Sequence, residues 1–158
     1  MSHLGRPTAQ EPEFSLRHIV STLETILGVQ VLFSSDCIGE EAQATADNLE
    51  PGQVLLLENL RYHSEETKGD LGFAEALSKL GDFYINDAFG TAHRAHASTT
   101  IIAQFFPESK CFGSLLAQEI DRPFVPCPIV LLKFAKEASS NFIVCFIYEW
   151  FVSENLIH

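Results

Sequence analysis

Short apolar runs and helical segments alternate along most of this 158-residue chain, and that alternation is the feature that most constrains its fold. Apolar residues recur at helical spacing over 15–27, with Ser15 as a plausible N-cap and Gly28 just after the helix end. The runs 29–33, 54–57 and 83–85 are typical of strands, and the continuous apolar run 54–57 suits a strand buried on both faces of a parallel sheet. Strands that alternate with helices at this spacing predict an α/β fold of three layers, a mostly parallel sheet flanked by helices.

Further helices are expected over 40–49, 71–80, 95–106 and 114–120. The segment that begins at Arg122 has a different pattern, because Pro123, Pro126 and Pro128 interrupt its start and no clear turn signals separate the apolar runs after them. Strands are placed there near 129–132 and 142–147.

Composition excludes several classes of protein. The formal net charge of −11 argues against a nucleic-acid or anionic-membrane surface, since both need clustered basic residues. The first residues lack the apolar core of a secretory signal, and the apolar run 141–152 is too short for a spanning helix and contains Glu149. The four cysteines have no CxxC spacing, which favours reduced thiols in the cytoplasm; they are Cys37, Cys111, Cys127 and Cys145.

Three of the five arginines lie beside histidines: Arg6 near His3, Arg61 near His63, and Arg94 next to His93 and close to His96. The second and third of these clusters follow predicted strands, and ligands of open parallel sheets bind outside the carboxyl ends of the strands. Guanidinium groups that converge there predict a small anionic ligand. The alternative is that each arginine belongs to an ordinary surface ion pair, Arg61 with Glu58 or Glu65 and Arg94 with Asp87.

The motifs SHLGRP, LLLENLRYH and YINDAFGTAHRAHAS resemble the sugar-phosphate-binding motifs of the phosphoglycerate kinase family, in that family's order. The resemblance extends from residue 1 to about residue 120 and implies an incomplete, Rossmann-like N-terminal lobe of that family. Such a kinase works in glycolysis, transferring a phosphoryl group between 1,3-bisphosphoglycerate and MgADP to give 3-phosphoglycerate and MgATP. Members of the family are usually monomeric and cytoplasmic.

The resemblance also implies which residues would bind the small-molecule substrate, 3-phosphoglycerate or 1,3-bisphosphoglycerate. By motif they are His3, Leu4, Gly5, Arg6, Arg61, His93 and Arg94, with the two later arginines on the phosphate. No residue is assigned a catalytic role. A metal site is not expected, because His63, His93 and His96 lack a carboxylate at suitable spacing, while Asp36 and Cys37 are taken as loop residues.

The two ends of the chain depart from the family pattern. Family members have a strand with an RVDxN-type motif upstream of the segment that matches Ser2 and His3. Beyond an RPFV-like strand they continue into a glycine-lysine motif of the nucleotide lobe, whereas here no glycine follows Gly113, and a loop that cradles phosphates needs glycine. We therefore expect a partial kinase domain over 1–121, a divergent apolar tail over 122–158, no site for Mg-ATP or Mg-ADP, and no activity of the chain alone. The alternative is a non-catalytic module that binds an anion or a protein.

Overall fold

The computed structural model describes residues 1–88, 90, 94–114, 116–117 and 142–146, the last of these by their backbone alone. The helices are α1 (Val20–Leu27), α2 (Glu40–Asp47), α3 (Ser64–Lys68) and α4 (Leu71–Ser78), and the strands are β1 (Val31–Ser34), β2 (Val54–Leu57), β3 (Phe83–Asp87), β4 (Lys110–Phe112) and β5 (Phe142–Phe146). Short 3-10 turns cover Pro12–Phe14, Leu16–Ile19, Leu60–Tyr62 and Ile102–Phe105, and a π-helix covers Ala97–Ile101.

The strands form two parallel sheets. β1 pairs with β2, from Val31 opposite Val54 to Ser34 opposite Leu57. β3 lies between β4 and β5 and is parallel to both, so the described order is β4-β3-β5. Because every described strand pair is parallel and helices connect the strands, the α/β prediction is confirmed.

Local signals explain where the helices begin and end. The Ser15 side chain accepts a hydrogen bond from the Arg17 N–H, but this caps a 3-10 turn, and α1 itself begins only at Val20. Gly28 ends α1 with φ of 63°, a left-handed conformation that glycine adopts without strain. Asp70 caps α4 by accepting a hydrogen bond of 2.8 Å from the Phe73 N–H.

A single main core connects the two sheets. It contains Leu57 from the end of β2 and Tyr84 from β3, together with Ala74 and Leu77 of α4 and Ile102. Each fully buried leucine or isoleucine contributes about 1.5–3 kcal/mol. A smaller cluster packs the start of the α1 segment on β1 and β2 through Leu16, Val31 and Leu56. The strand ends that carry the candidate site are therefore held by one hydrophobic core.

Several predicted elements differ from the structure. The helix expected over 95–106 is a π-helix followed by a 3-10 turn, and β4 and α3 were not predicted. β5 lies within the strand expected near 142–147. Of the helix expected over 114–120, positions 114, 116 and 117 are described and are helical. The strand expected near 129–132 and the domain boundary at 121–122 lie outside the described residues, so the boundary stays a prediction.

Across the described part of the chain, we find no helix with both the length and the apolar character needed to cross a membrane.

Candidate anion-binding site

A cleft of about 350 Å³ lies where three arginines from distant parts of the chain meet. Arg61 follows β2 in the Leu60–Tyr62 turn, Arg94 lies in the connection after β3, and Arg6 comes from the N-terminal segment. The described residues that line the cleft are Arg6, Pro7, Thr8, Arg61, Tyr62, Ser64, Thr67 and Arg94. Three of these carry positive charge and none is acidic, so the cleft is a basic feature of an acidic chain.

The backbone of Gly5 orients the Arg61 side chain. Arg61 Nη1 donates a hydrogen bond of 2.6 Å to the Gly5 carbonyl oxygen. Gly5 has φ of 61°, and a Cβ at that position would stand 2.6 Å from a ring carbon of Phe14. Only glycine therefore fits both the conformation and the space, which explains the glycine directly before Arg6.

Asn59 joins the N-terminal segment to the end of β2. Its side-chain amide donates to the carbonyl oxygens of Leu4 at 2.8 Å and Phe14 at 2.9 Å. Its Oδ1 accepts the Arg61 backbone N–H at 3.0 Å. Asn59 is fully buried, so these bonds are made away from water and fix the spacing between the loops that carry Arg6 and Arg61.

The Glu58 carboxylate is engaged in holding the start of the α1 segment. It accepts hydrogen bonds from the Ser15 hydroxyl at 2.6 Å, the Leu16 N–H at 2.8 Å and the Asn59 N–H at 2.7 Å. Each of these bonds serves the backbone or a cap. Glu58 is buried, so the alternative considered from sequence, an exposed surface ion pair between Arg61 and Glu58, does not describe this carboxylate.

His3 is buried and is not one of the described residues that line the cleft. Burial lowers the pKa of His3 to about 4, and the nearby charges of Arg61 and His96 act in the same direction. The imidazole is therefore neutral at pH 7. Of the residues that the resemblance assigns to the substrate, Leu4 accepts a hydrogen bond from Asn59 and Gly5 accepts one from Arg61, each at its carbonyl oxygen.

A buried carboxylate fixes the other side of the cleft. Glu66 of α3 accepts hydrogen bonds from the Ser98 hydroxyl at 2.7 Å and the Ser98 N–H at 3.0 Å, and its Oε1 lies 3.8 Å from His96 Nδ1. Burial raises the pKa of Glu66, and the Ser98 bonds oppose that rise. These contacts attach the π-helix, which follows Arg94 in sequence, to α3. Helix α3 in turn supplies Ser64 and Thr67 to the cleft.

Gly69, at the end of α3, allows the Arg94 loop to approach closely. A Cβ on Gly69 would stand 2.4 Å from the Ala95 carbonyl oxygen, and its φ is 67°. The Arg94 carbonyl oxygen also accepts a hydrogen bond of 3.3 Å from the Thr100 hydroxyl. The position of Arg94 thus depends on a glycine and a threonine that the sequence analysis did not single out.

The remaining histidines do not share one environment. The His63 Nε2 lies 2.6 Å from the Asp36 Oδ1, and the His63 ring packs against Phe73. His96 is buried beside Glu66. His93, assigned to the substrate by resemblance, lies outside the described residues.

Asp87 accepts a hydrogen bond of 2.9 Å from the Leu116 N–H, and Gly113 leaves room for its carboxylate. Asp87 is therefore a buried residue that binds the backbone at Leu116. The alternative considered from sequence placed it in a surface ion pair with Arg94.

Sequence reasoning missed the neutral side chains of the cleft and the groups that hold it. Thr8, Tyr62, Ser64 and Thr67 line the cleft, and Asn59 and Glu66 brace it. A signal was present for Tyr62, which directly follows Arg61. Ser64 and Thr67 are spaced as neighbours on one helix face, but that pattern gains meaning only once α3 is known.

The fold and the cleft together define a class, the open parallel α/β proteins with an arginine-lined cleft beyond their strand ends, an arrangement typical of sites for anionic ligands. Within that class the chain belongs to the phosphoglycerate kinase family, whose family model matches residues 1–123. The resemblance drawn from the sequence motifs is thereby confirmed.

Relatives and solved structures agree with this assignment. The phosphoglycerate kinase of Moorella thermoacetica is 50% identical over 136 residues, which covers 79% of this chain and 34% of the relative. A cytosolic phosphoglycerate kinase of Triticum aestivum is 50% identical over 120 residues, covering 76% and 30%. The structure of phosphoglycerate kinase from Coxiella burnetii superposes with a TM-score of 0.64 at 35% identity, covering 75% of this chain and 29% of that one. The chain thus spans about a third of the length of these curated relatives.

Proposed function

We propose that the arginine-lined cleft binds the phosphate group of 3-phosphoglycerate or 1,3-bisphosphoglycerate, as the substrate-binding part of a glycolytic phosphoglycerate kinase. The observation that carries this proposal is the meeting of Arg6, Arg61 and Arg94 at one cleft without an acidic residue among its described lining. A phosphate with up to two negative charges is matched by planar guanidinium groups that donate paired hydrogen bonds.

The site residues have different roles in this proposal. Arg61 and Arg94 hold the phosphate, Arg6 adds positive charge at the cleft mouth, and His93 supports the same basic patch. His3 binds the 3-phosphoglycerate together with Arg6, and Leu4 and Gly5 supply backbone contact. The Gly5 carbonyl oxygen also orients Arg61. Positioning and charge neutralisation are what phosphoryl transfer requires of a protein, so no residue here needs to react covalently.

The complete reaction, phosphoryl transfer between 1,3-bisphosphoglycerate and ADP, needs a nucleotide with its Mg²⁺. We propose that this 158-residue chain does not hold Mg-ATP or Mg-ADP, because no glycine follows Gly113 to form a phosphate-cradling loop. The chain assayed alone should therefore show no turnover in a coupled assay free of host kinase. Turnover above background would refute this part of the proposal.

We further propose a cytoplasmic monomer with a small-molecule substrate and no nucleic-acid or membrane partner. The wheat relative carries the description cytosolic, and the net charge of −11 disfavours polyanionic surfaces.

Calorimetric titration of the full chain with 3-phosphoglycerate tests the role of the cleft. Arg61→Ala and Arg94→Ala should each weaken binding by about 1.5–3 kcal/mol, the scale of a charge-assisted hydrogen bond. Added salt should weaken binding further, since the attraction is ionic. Lysine at either position should restore only part of the loss, because it keeps the charge but lacks the planar fork.

The matched control is Arg17→Ala. Arg17 is exposed and its guanidinium lies over the Phe33 ring at 4.3 Å, away from the cleft lining. The Arg17→Ala substitution removes one positive charge from the chain without changing the cleft, so 3-phosphoglycerate affinity should stay within a factor of about two. Equal losses in all three alanine variants would mean that only net charge matters and would reject a specific site.

A further inference from the structure

Apart from the arginine cleft, one cluster of potential metal ligands stands out among the described residues. Asp36 and Cys37 lie in the turn after β1, and His63 follows the Leu60–Tyr62 turn after β2. One ligand atom from each, a carboxylate oxygen, the thiol sulfur and an imidazole nitrogen, lies within 4.8 Å of the other two. Because β1 and β2 are adjacent and parallel, their carboxyl ends bring the three residues together.

We propose that Asp36, Cys37 and His63 form a site for a divalent transition metal ion, zinc by preference. The chemistry of the donor set carries the choice of metal. Thiolate and imidazole ligands select zinc and its neighbours over Mg²⁺ and Ca²⁺, which prefer oxygen ligands. A carboxylate completes a mixed sulfur, nitrogen and oxygen set that zinc accepts.

The geometry needs only a small adjustment. Zinc bonds of about 2.0–2.3 Å in a tetrahedron place ligand atoms about 3.3–3.8 Å apart. Asp36 Oδ1 and His63 Nε2 are now 2.6 Å apart. This pair would open by about 0.7–1.2 Å as the metal replaces the hydrogen that they share. The Asp36 side chain is 43% exposed and that of His63 21%, which gives the ion a path from solvent and leaves a fourth position for water.

Neighbouring groups already orient the ligands. The Cys37 N–H donates a hydrogen bond of 2.6 Å to Asp36 Oδ1. The Cys37 thiol now donates a hydrogen bond of 2.9 Å to the Glu58 carbonyl oxygen, and the metal would take the place of that proton. The His63 ring packs against Phe73 with their centroids 5.0 Å apart. Contacts of this kind, one layer beyond the ligands, hold metal sites in shape.

Binding of the ion would replace the proton of the Cys37 thiol, which would leave to solvent as the sulfur becomes a thiolate ligand. This site is separate from the arginine cleft and does not depend on the proposed function.

The test is titration of the metal-stripped full chain with Co²⁺, a spectroscopic substitute for zinc. We expect saturation at one ion per chain, visible bands of a tetrahedral site, and a thiolate-to-cobalt charge-transfer band that Zn²⁺ abolishes by displacement. Cys37→Ser should remove the charge-transfer band, and Asp36→Asn and His63→Gln should each weaken affinity by roughly tenfold or more. Cys111→Ser and His18→Gln, which change an exposed cysteine and an exposed histidine elsewhere, should leave the spectrum intact.

The wild-type chain keeps the test decisive if Cys37→Ser fails to fold, since a cadmium NMR signal typical of a single thiolate ligand requires no variant. Such a signal, which in folded Asp36→Asn should need roughly tenfold more cadmium to appear, would support the site. Failure of Co²⁺ to saturate, or an unchanged charge-transfer band in folded Cys37→Ser, would overturn the proposal.

Discussion

At the scale of single residues, the side chains that shape the arginine cleft are buried polar groups that bind backbone. Asn59 bridges the Leu4 and Phe14 carbonyls to the Arg61 N–H, and Glu58 holds Ser15 and Leu16. Each fixes two segments that are far apart in sequence. A buried group that loses such a partner retains its desolvation cost without compensation.

Asn59→Ala should therefore destabilise the chain by about 1–3 kcal/mol, because the Leu4 and Phe14 carbonyls lose their buried donor. Chemical denaturation followed by circular dichroism measures this loss. The matched control is Asn48→Ala, since Asn48 is exposed and its amide donates to the carbonyl oxygen of Ala44, in the helix that Asn48 follows. If both variants lose the same free energy of unfolding, Asn59 has no special role in joining the loops.

His3 should make stability fall with acidification. Its folded pKa of about 4 lies below the reference value of 6.5, so the unfolded chain binds a proton first as the pH falls between these values. The folded state is then disfavoured, and the loss amounts to roughly 3 kcal/mol across that interval. Over the same pH range, the free energy of unfolding of His3→Gln should fall by about 3 kcal/mol less than that of the unchanged chain. Parallel pH profiles for the two proteins would show that His3 titrates normally in the fold.

At the scale of elements, the connection between α3 and the π-helix positions Arg94. Glu66 accepts hydrogen bonds from both the N–H and the hydroxyl of Ser98, and Gly69 permits the close approach of Ala95. Arg94 therefore depends on α3 even though it follows β3 in sequence.

Glu66→Ala should cost about 1.5–3 kcal/mol in the free energy of unfolding, because both Ser98 donors lose a buried carboxylate. The same variant should weaken 3-phosphoglycerate binding by displacing the Arg94 loop. Glu65→Ala, which changes the exposed neighbouring residue on the same helix, should stay within about 0.5 kcal/mol. A Glu66 variant with unchanged affinity would indicate that α3 does not control the position of Arg94.

The elements also show how far the sequence could predict the structure. The predicted strand matched β2 because its four apolar residues have no polar interruption. The predicted helix matched α4 because its apolar residues recur at helical spacing between Asp70 and Gly81. β4 was missed because its three residues are exposed and follow a turn, so neither periodicity nor burial marked it. The irregular π-helix was missed because the apolar spacing of 95–106 also suits an ordinary helix. The three arginines were identifiable from their motifs, whereas Asn59 and Glu66 act through tertiary contacts that no local pattern reveals.

At the scale of the whole molecule, an acidic chain concentrates positive charge at one place. Its net charge is −11, yet three of its five arginines line a single cleft beyond the strands of a parallel lobe. Part of the apolar segment after residue 121 also joins this lobe, because β5 pairs with β3 from Phe83 opposite Phe142 to Asp87 opposite Phe146. The chain spans about a third of the length of its curated relatives, and the cleft lies within that third.

The most direct test of the central claim, that the three arginines form one phosphate-binding cleft, is NMR chemical-shift mapping of the full chain with 3-phosphoglycerate. We predict saturable perturbations that cluster on the cleft, at Arg6, Arg61, Ser64, Thr67 and Arg94. Inorganic sulfate should produce a weaker version of the same pattern, and Arg17 should not shift. Perturbations scattered over the surface, or none at concentrations where the folded chain is intact, would contradict the account.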